Sequence, residues 1–152
     1  MATSFDVIGQ RALSVIDDYK LRKLYDANIE LFHDKIDGWI VSSAAKFIEC
    51  EQPLTYDSEL RQFDADLTDL EIQILAEYWV IYWWRGETDV ATQIAQKLKV
   101  PSSFQMDGVS SQNFKEKQNV IDKLEEDVDR LIHDKYQLLY LSSYNYLRGV
   151  DI

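Results

Sequence analysis

Two histidines, one cysteine and several acidic clusters are the residues whose types could do chemistry, and their spacing decides whether any is on offer. His33 and His133 lie far apart in sequence, and neither forms an i, i+4 pair of the HExxH kind with another ligand. Both are expected on the polar sides of helices, in solvent. Cys50 stands alone, which excludes thiolate zinc sites and an internal disulfide and makes a reducing compartment the default. Flanked by Glu49 and Glu51, it is expected to be a poor nucleophile, because neighbouring carboxylates raise a thiol's pKa. Asp64, Asp66, Thr68, Asp69 and Glu71 superficially resemble a calcium loop. An EF-hand starting at Asp64 needs glycine at its sixth position and glutamate at its twelfth, where Asp69 and Leu75 stand. Glu125, Glu126, Asp127 and Asp129 share a mixed-charge face with Lys123 and Arg130 and read as solvated surface. The glycines, Gly9, Gly38, Gly86, Gly108 and Gly149, are isolated and build no phosphate cradle. No catalytic residue, metal site or cofactor is therefore expected.

The aromatic residues are the more unusual feature. Trp79, Trp83 and Trp84 cluster with Tyr78 and Tyr82. Core packing accounts for such a cluster, and an intersubunit contact is the alternative, with Trp83 and Trp84 as its anchors. Near the end, Tyr136, Tyr140, Tyr144 and Tyr146 stand among leucines. Tyrosine rings of this kind suit a half-wet contact, so this stretch is either the packed face of a last helix or a docking arm over residues 144–152.

These residues must be positioned by helices. The chain has 152 residues, 46% of them apolar and 28% charged, with two prolines and five glycines. That is enough for one hydrophobic core and too little punctuation for a sheet protein. The formal net charge of −11 disfavours nucleic-acid binding as the main activity, since such a surface repels phosphates. The N-terminal residues lack the pattern of a signal peptide, and the longest apolar run is far too short to span a bilayer. A cytoplasmic protein, or one assembled there, is expected.

The pattern predicts an all-α, single-domain bundle of four to five helices with a long C-terminal helix. Residues 4–19 form the first, with Ser4 as N-cap. A second, beginning near Lys20 or Asp26 and ending at Phe47, places Leu24, Tyr25, Ile29, Phe32, Ile36, Trp39, Ile40, Ala44 and Phe47 on one buried stripe. Gly38 within it suggests a close helix crossing. Residues 49–66 read as a loop with a short helical turn near 58–63. Thr68 and Glu71 have the spacing of a capping box, with Leu67 and Ile72 placed as a hydrophobic staple. The helix they open, over residues 69–85, is apolar around most of its circumference and should be central. Gly86 reads as a C-cap and Glu87-Thr88-Asp89 as a fresh N-cap for a short fourth helix stopped by Pro101. Residues 101–111 form the second main loop, in which Phe104 and Met106 invite burial against something. From Ser110 or Ser111 as N-cap, a helix over 112–148 would extend roughly 55 Å at about 1.5 Å per residue. That exceeds a compact domain of this size, so the helix either bends or projects.

In order along the chain, Ala12-Leu13-Ser14-Val15-Ile16-Asp17-Asp18-Tyr19-Lys20-Leu21 and Ala44-Ala45-Lys46-Phe47 are followed by Phe63 and by Leu67-Thr68-Asp69-Leu70-Glu71. Then come Ile74-Leu75-Ala76-Glu77-Tyr78-Trp79-Val80 with Trp83 or Trp84, and Phe114-Lys115-Glu116-Lys117 at the start of the last helix. This layout resembles the head–tail connectors of tailed bacteriophages, also called adaptor, neck or head-completion proteins. The resemblance implies a structural virion protein assembled in the bacterial host cytoplasm, with no cofactor. Many copies would form a homo-oligomeric ring beneath the portal protein, extend the DNA channel, and offer a platform to the next neck or tail component. DNA would pass an acidic lumen without specific binding. The gripping arm would fall on Tyr144, Tyr146, Leu147, Arg148, Val150 and Ile152, and residues 101–113, with Phe104 and Met106, would make the opposite or lateral contact. The rival is a cytosolic helical adaptor or regulator that binds a single protein partner through its long last helix.

Overall fold

Short polar side chains decide where the helices begin. Residues 2–97 and 107–148 are described in the computed structural model, those of 90–97, 107–113 and 142–148 as backbone only. The fold is mainly α, with a long C-terminal helix, as the pattern predicts. Ser4 caps α1 (Phe5–Leu13), its hydroxyl accepting the Asp6 amide at 3.2 Å. The first helix is shorter than expected: it ends at Leu13 with Ser14 as C-cap, and Asp18, in an extended conformation, opens α2 (Tyr19–Ala27). Its carboxylate accepts the amides of Lys20 at 2.7 Å and Leu21 at 3.2 Å. Asn28 does the same for α3 (Ile29–Lys46), accepting the Leu31 amide at 3.0 Å. The single second helix expected from the sequence is thus two. The break turns Tyr25 and Ile29 out of the expected stripe, and both are half exposed. Gly38 is not a close crossing: nothing lies within 4 Å of where its Cβ would be.

Residues 49–66 carry the strands β2 (Tyr56–Asp57) and β3 (Gln62–Phe63), which pair antiparallel with each other and with β1 (Thr3–Ser4) in the order β1-β3-β2. No helical turn forms near 58–63. The chain reverses through Arg61, at φ 52, and its guanidinium holds the reversal in place. Arg61 donates through Nε and Nη2 to both oxygens of Asp37, at 2.7 and 2.8 Å, and pairs with Asp6 at 2.9 Å. A bidentate fork of this kind ties the sheet to α1 and α3.

The capping box forms as the spacing predicts. Glu71 Oε2 accepts the Thr68 amide at 2.8 Å, Thr68 Oγ1 accepts the Glu71 amide at 3.3 Å, and Leu67 and Ile72 are both buried. It opens α4 (Asp69–Lys97), which packs against α1, α3 and α5 and is central, as its all-round apolar character requires. Gly86 does not end α4. The Thr88 hydroxyl folds back to donate to the Trp84 carbonyl at 2.9 Å, and Glu87 is held by Lys20 at 3.0 Å. With those side chains engaged, the roughly 1 kcal/mol cost of a helical glycine is too small to stop the helix. No fresh cap forms at 87–89, and the separate short helix expected there is part of α4.

The last helix, α5 (Asp107–Arg148), begins ahead of the expected caps at Ser110 or Ser111, so residues 107–111 are helical and not loop. Its 42 residues make it roughly 63 Å long at about 1.5 Å per residue.

Candidate interaction surfaces

The helix breaks at Asp18 and Asn28 have a consequence at the surface. With the chain broken into three helices, a groove of about 460 Å³ is left between α1, α2 and α3. Its apolar lining includes Leu13, Ile16, Leu21, Phe32 and Ile36, and its rim carries Asp6, Asp17 and Asp18. Tyr25 stands at the edge, its ring set at 85° to that of Phe32 with centroids 5.2 Å apart. Gly9 lies in the wall, 3.5 Å from Ile36 Cδ1 measured from where a Cβ would sit. His33, expected in solvent, is half-buried here, with its ring 5.8 Å from Phe32. His133 is exposed, as expected, beside Gln137 at 3.3 Å.

Asp18 joins the groove to the tryptophan cluster, because Trp83 Nε1 donates to its Oδ2 at 2.8 Å. Burial works to raise the Asp18 carboxyl, but the bonds from Trp83 and from the Leu21 and Lys20 amides outweigh it and hold the group below its ordinary value. Replacing Asp18 with alanine removes a cap and leaves the indole N–H unpaired. We expect a loss of about 1–3 kcal/mol, read by urea denaturation, with tryptophan emission shifted as Trp83 is released. Trp83 and Trp84 are both half-buried, ring centroids 5.0 Å apart at 72°.

The second surface lies on α5. Ile121 and Val128 are buried, and seven residues further on Lys135 is too, so a heptad-spaced stripe faces α4. Beyond Lys135 that changes. Tyr136 through Leu141 are all exposed, Leu138 to 67% and Leu141 to 53%. The expected stripe through Phe114, Gln118, Tyr136, Leu139 and Tyr140 is therefore buried only in its middle. Large apolar groups exposed on every side of a helix are the mark of a segment that meets another surface. Of the arm residues expected at the C-terminus, Tyr144, Tyr146, Leu147 and Arg148 fall on this same helix, with side chains outside the described residues. Val150, Ile152, Phe104 and Met106 lie outside the described residues altogether.

Lys135 reaches into the core. Its Nζ donates to Glu71 Oε1 at 2.8 Å, and the carboxylate is 1% exposed. Burial alone would raise Glu71, but Lys135, with the amide and hydroxyl of Thr68, lowers it below its ordinary 4.5. Cys50 donates to the same oxygen at 3.5 Å, and burial, reinforced by the Glu71 charge, pushes its thiol up to about 11. The thiol is shifted in the direction expected, but burial leads and the carboxylate that adds to it is Glu71, not Glu49 or Glu51. With cap, lysine and thiol converging on it, Glu71 is fully engaged in holding α5 to the start of α4.

No known family, curated protein or solved structure matches the chain. Among the described residues, no three His, Cys, Asp or Glu side chains come together as a metal site, and no helix is long and apolar enough to cross a membrane. Sequence reasoning missed the groove because it placed Tyr25 and Ile29 inside one buried stripe. The signal that could have revealed it is the pair of short polar residues, Asp18 and Asn28, each just ahead of an apolar run.

Proposed function

We propose that this protein is a non-catalytic structural component of a virion, of the head–tail connector kind, which assembles as a ring and joins a portal to the next neck or tail component. The observation that carries the reading lies late in α5, where Tyr136 through Leu141 expose apolar side chains around the helix just past the buried Lys135. A monomer gains nothing from that arrangement, whereas a helix awaiting a partner requires it. The net charge of −11 supports the same reading, because an acidic lumen lets DNA pass without adhering.

Size-exclusion chromatography with light scattering, on the protein alone and mixed with a portal, tests this. A ring-sized species or a portal-bound fraction is the expected result. A stable one-to-one complex with a host protein would instead make it a cytosolic adaptor. Deleting residues 144–152 is expected to abolish portal docking while leaving helical circular dichroism largely intact. Unfolding of the truncated protein would show that this segment belongs to the core.

A further inference from the structure

We infer that residues 136–141 of α5 from one copy seat in the groove between α1, α2 and α3 of the next copy, head to tail. The inference rests on the self-assembly proposed above and names the contact that produces it.

Charge selects the occupant. The rim of the groove carries Asp6, Asp17 and Asp18 against Arg22 and against Arg61, which pairs with Asp6 from outside the lining. Acid still exceeds base, so an incoming segment must bring apolar groups without carboxylates. Most of this acidic chain fails that requirement. The end of α5 meets it in its own sequence: Asp134 is the last carboxylate before Asp151, and Arg148 is the one charge between Lys135, which is buried on Glu71, and that aspartate. Among the described residues, Glu49 and Glu51 come near it at its first residue, Tyr136. The exposed leucines and tyrosines of 136–141 match the apolar lining formed by Leu13, Ile16, Leu21 and Phe32.

Geometry selects the mode. Within one chain α5 packs on α4, and α4 in turn packs on α1 and α3, so α4 stands between the strip and the groove. Strip and groove are different surfaces, so a copy whose groove is filled still offers its strip to a third copy, which is the heterologous mode. Repeated, it closes into a ring or grows into a filament. A reciprocal two-fold dimer, with each strip in the other copy's groove, is the competing outcome: an unmodified chain that stops at twice 17.8 kDa would overturn the head-to-tail seat.

Two single substitutions separate the halves of the contact. Ile29→Glu spoils the groove; Ile29 is half exposed at the first position of α3, where a carboxylate favours the helix, so folding is preserved. Leu138→Glu spoils the strip at a side chain that is 67% exposed. In light scattering, each variant alone is expected to stay monomeric at concentrations where the unmodified chain assembles. Mixed in equal amounts, they are expected to give a dimer of about twice 17.8 kDa and nothing larger, since one sound groove meets one sound strip. Assembly of Ile29→Glu like the unmodified chain would overturn this seat while leaving the ring intact. Loss of portal binding by Ile29→Glu with self-assembly unchanged would give the groove to the portal and overturn it as well. An unmodified chain that stays monomeric up to millimolar concentration, with and without portal, would remove the proposed function itself.

Discussion

Replacing Lys135 with methionine is expected to destabilise the protein by about 3–5 kcal/mol, because it leaves the Glu71 carboxylate buried without its cation. The aliphatic part of the side chain is kept, so packing against Phe47, 5.7 Å from the ammonium, changes little. The Thr68 cap and the Cys50 thiol still reach Glu71, which favours the lower end of that range. The double variant Glu71→Gln with Lys135→Met is expected to recover much of the loss: glutamine preserves the capping box, and no charge is left stranded. Urea denaturation of the singles and the double gives the coupling directly. Equal losses in the single and double variants would mean that the pair is bystander to another defect. Acidity supplies a second readout. Glu71 is lowered below 4.5 in the folded protein, so its contribution is fully present above that pH and is lost as pH falls through the folded value. Without Lys135, burial is opposed only by the Thr68 bonds and the carboxyl rises from its folded value, so the variant is spared part of that loss. The stability gap between the two proteins is therefore expected to narrow between neutral pH and pH 4.

That pair also marks what was and was not legible in the sequence. Signals carried by a segment's own residues read correctly in three places: Ser4 as a cap, Thr68 with Glu71 as a box, and the apolar run that makes α4 central. Signals that depend on what a side chain meets elsewhere did not. Glu87, Thr88 and Asp89 have the composition of a helix start, yet Lys20 and the Trp84 carbonyl occupy Glu87 and Thr88, and the helix runs through. Two-residue strands carry no periodicity, so the β1-β3-β2 sheet left no trace in the pattern. The burial of Lys135 was half written: it falls seven residues after Val128 on the buried stripe, but the acid that makes a lysine tolerable there lies 64 positions away. The same division holds for the two surfaces. An aromatic, leucine-rich last helix is visible in composition, whereas the groove exists only because Asp18 and Asn28 cap new helices where periodicity alone runs on.

Truncating Trp79 to alanine is expected to cost about 3–5 kcal/mol and to disable assembly by an indirect route. Trp79 is fully buried where α4 meets α3. Its indole N–H donates to the Ile36 carbonyl at 3.1 Å, and its ring meets Trp39 edge to face with centroids 4.7 Å apart. The α3 side of that seam forms a wall of the groove through Phe32 and Ile36, and the α4 side carries α5. The residue therefore fixes the groove relative to the strip, and in a head-to-tail assembly that relation sets the rotation between successive copies. Trp79→Phe keeps most of the buried area but loses the N–H and part of the ring volume, so it is expected to cost about 1–3 kcal/mol. At a temperature where both variants remain folded by circular dichroism, the phenylalanine protein is expected to form the same assembly as the parent, while the alanine protein gives species of mixed size. Equal losses for the two variants would assign the stability to the hydrogen bond and not to the filled volume. Uniform assembly by folded Trp79→Ala would show that the contact between copies fixes its own geometry, without help from the core.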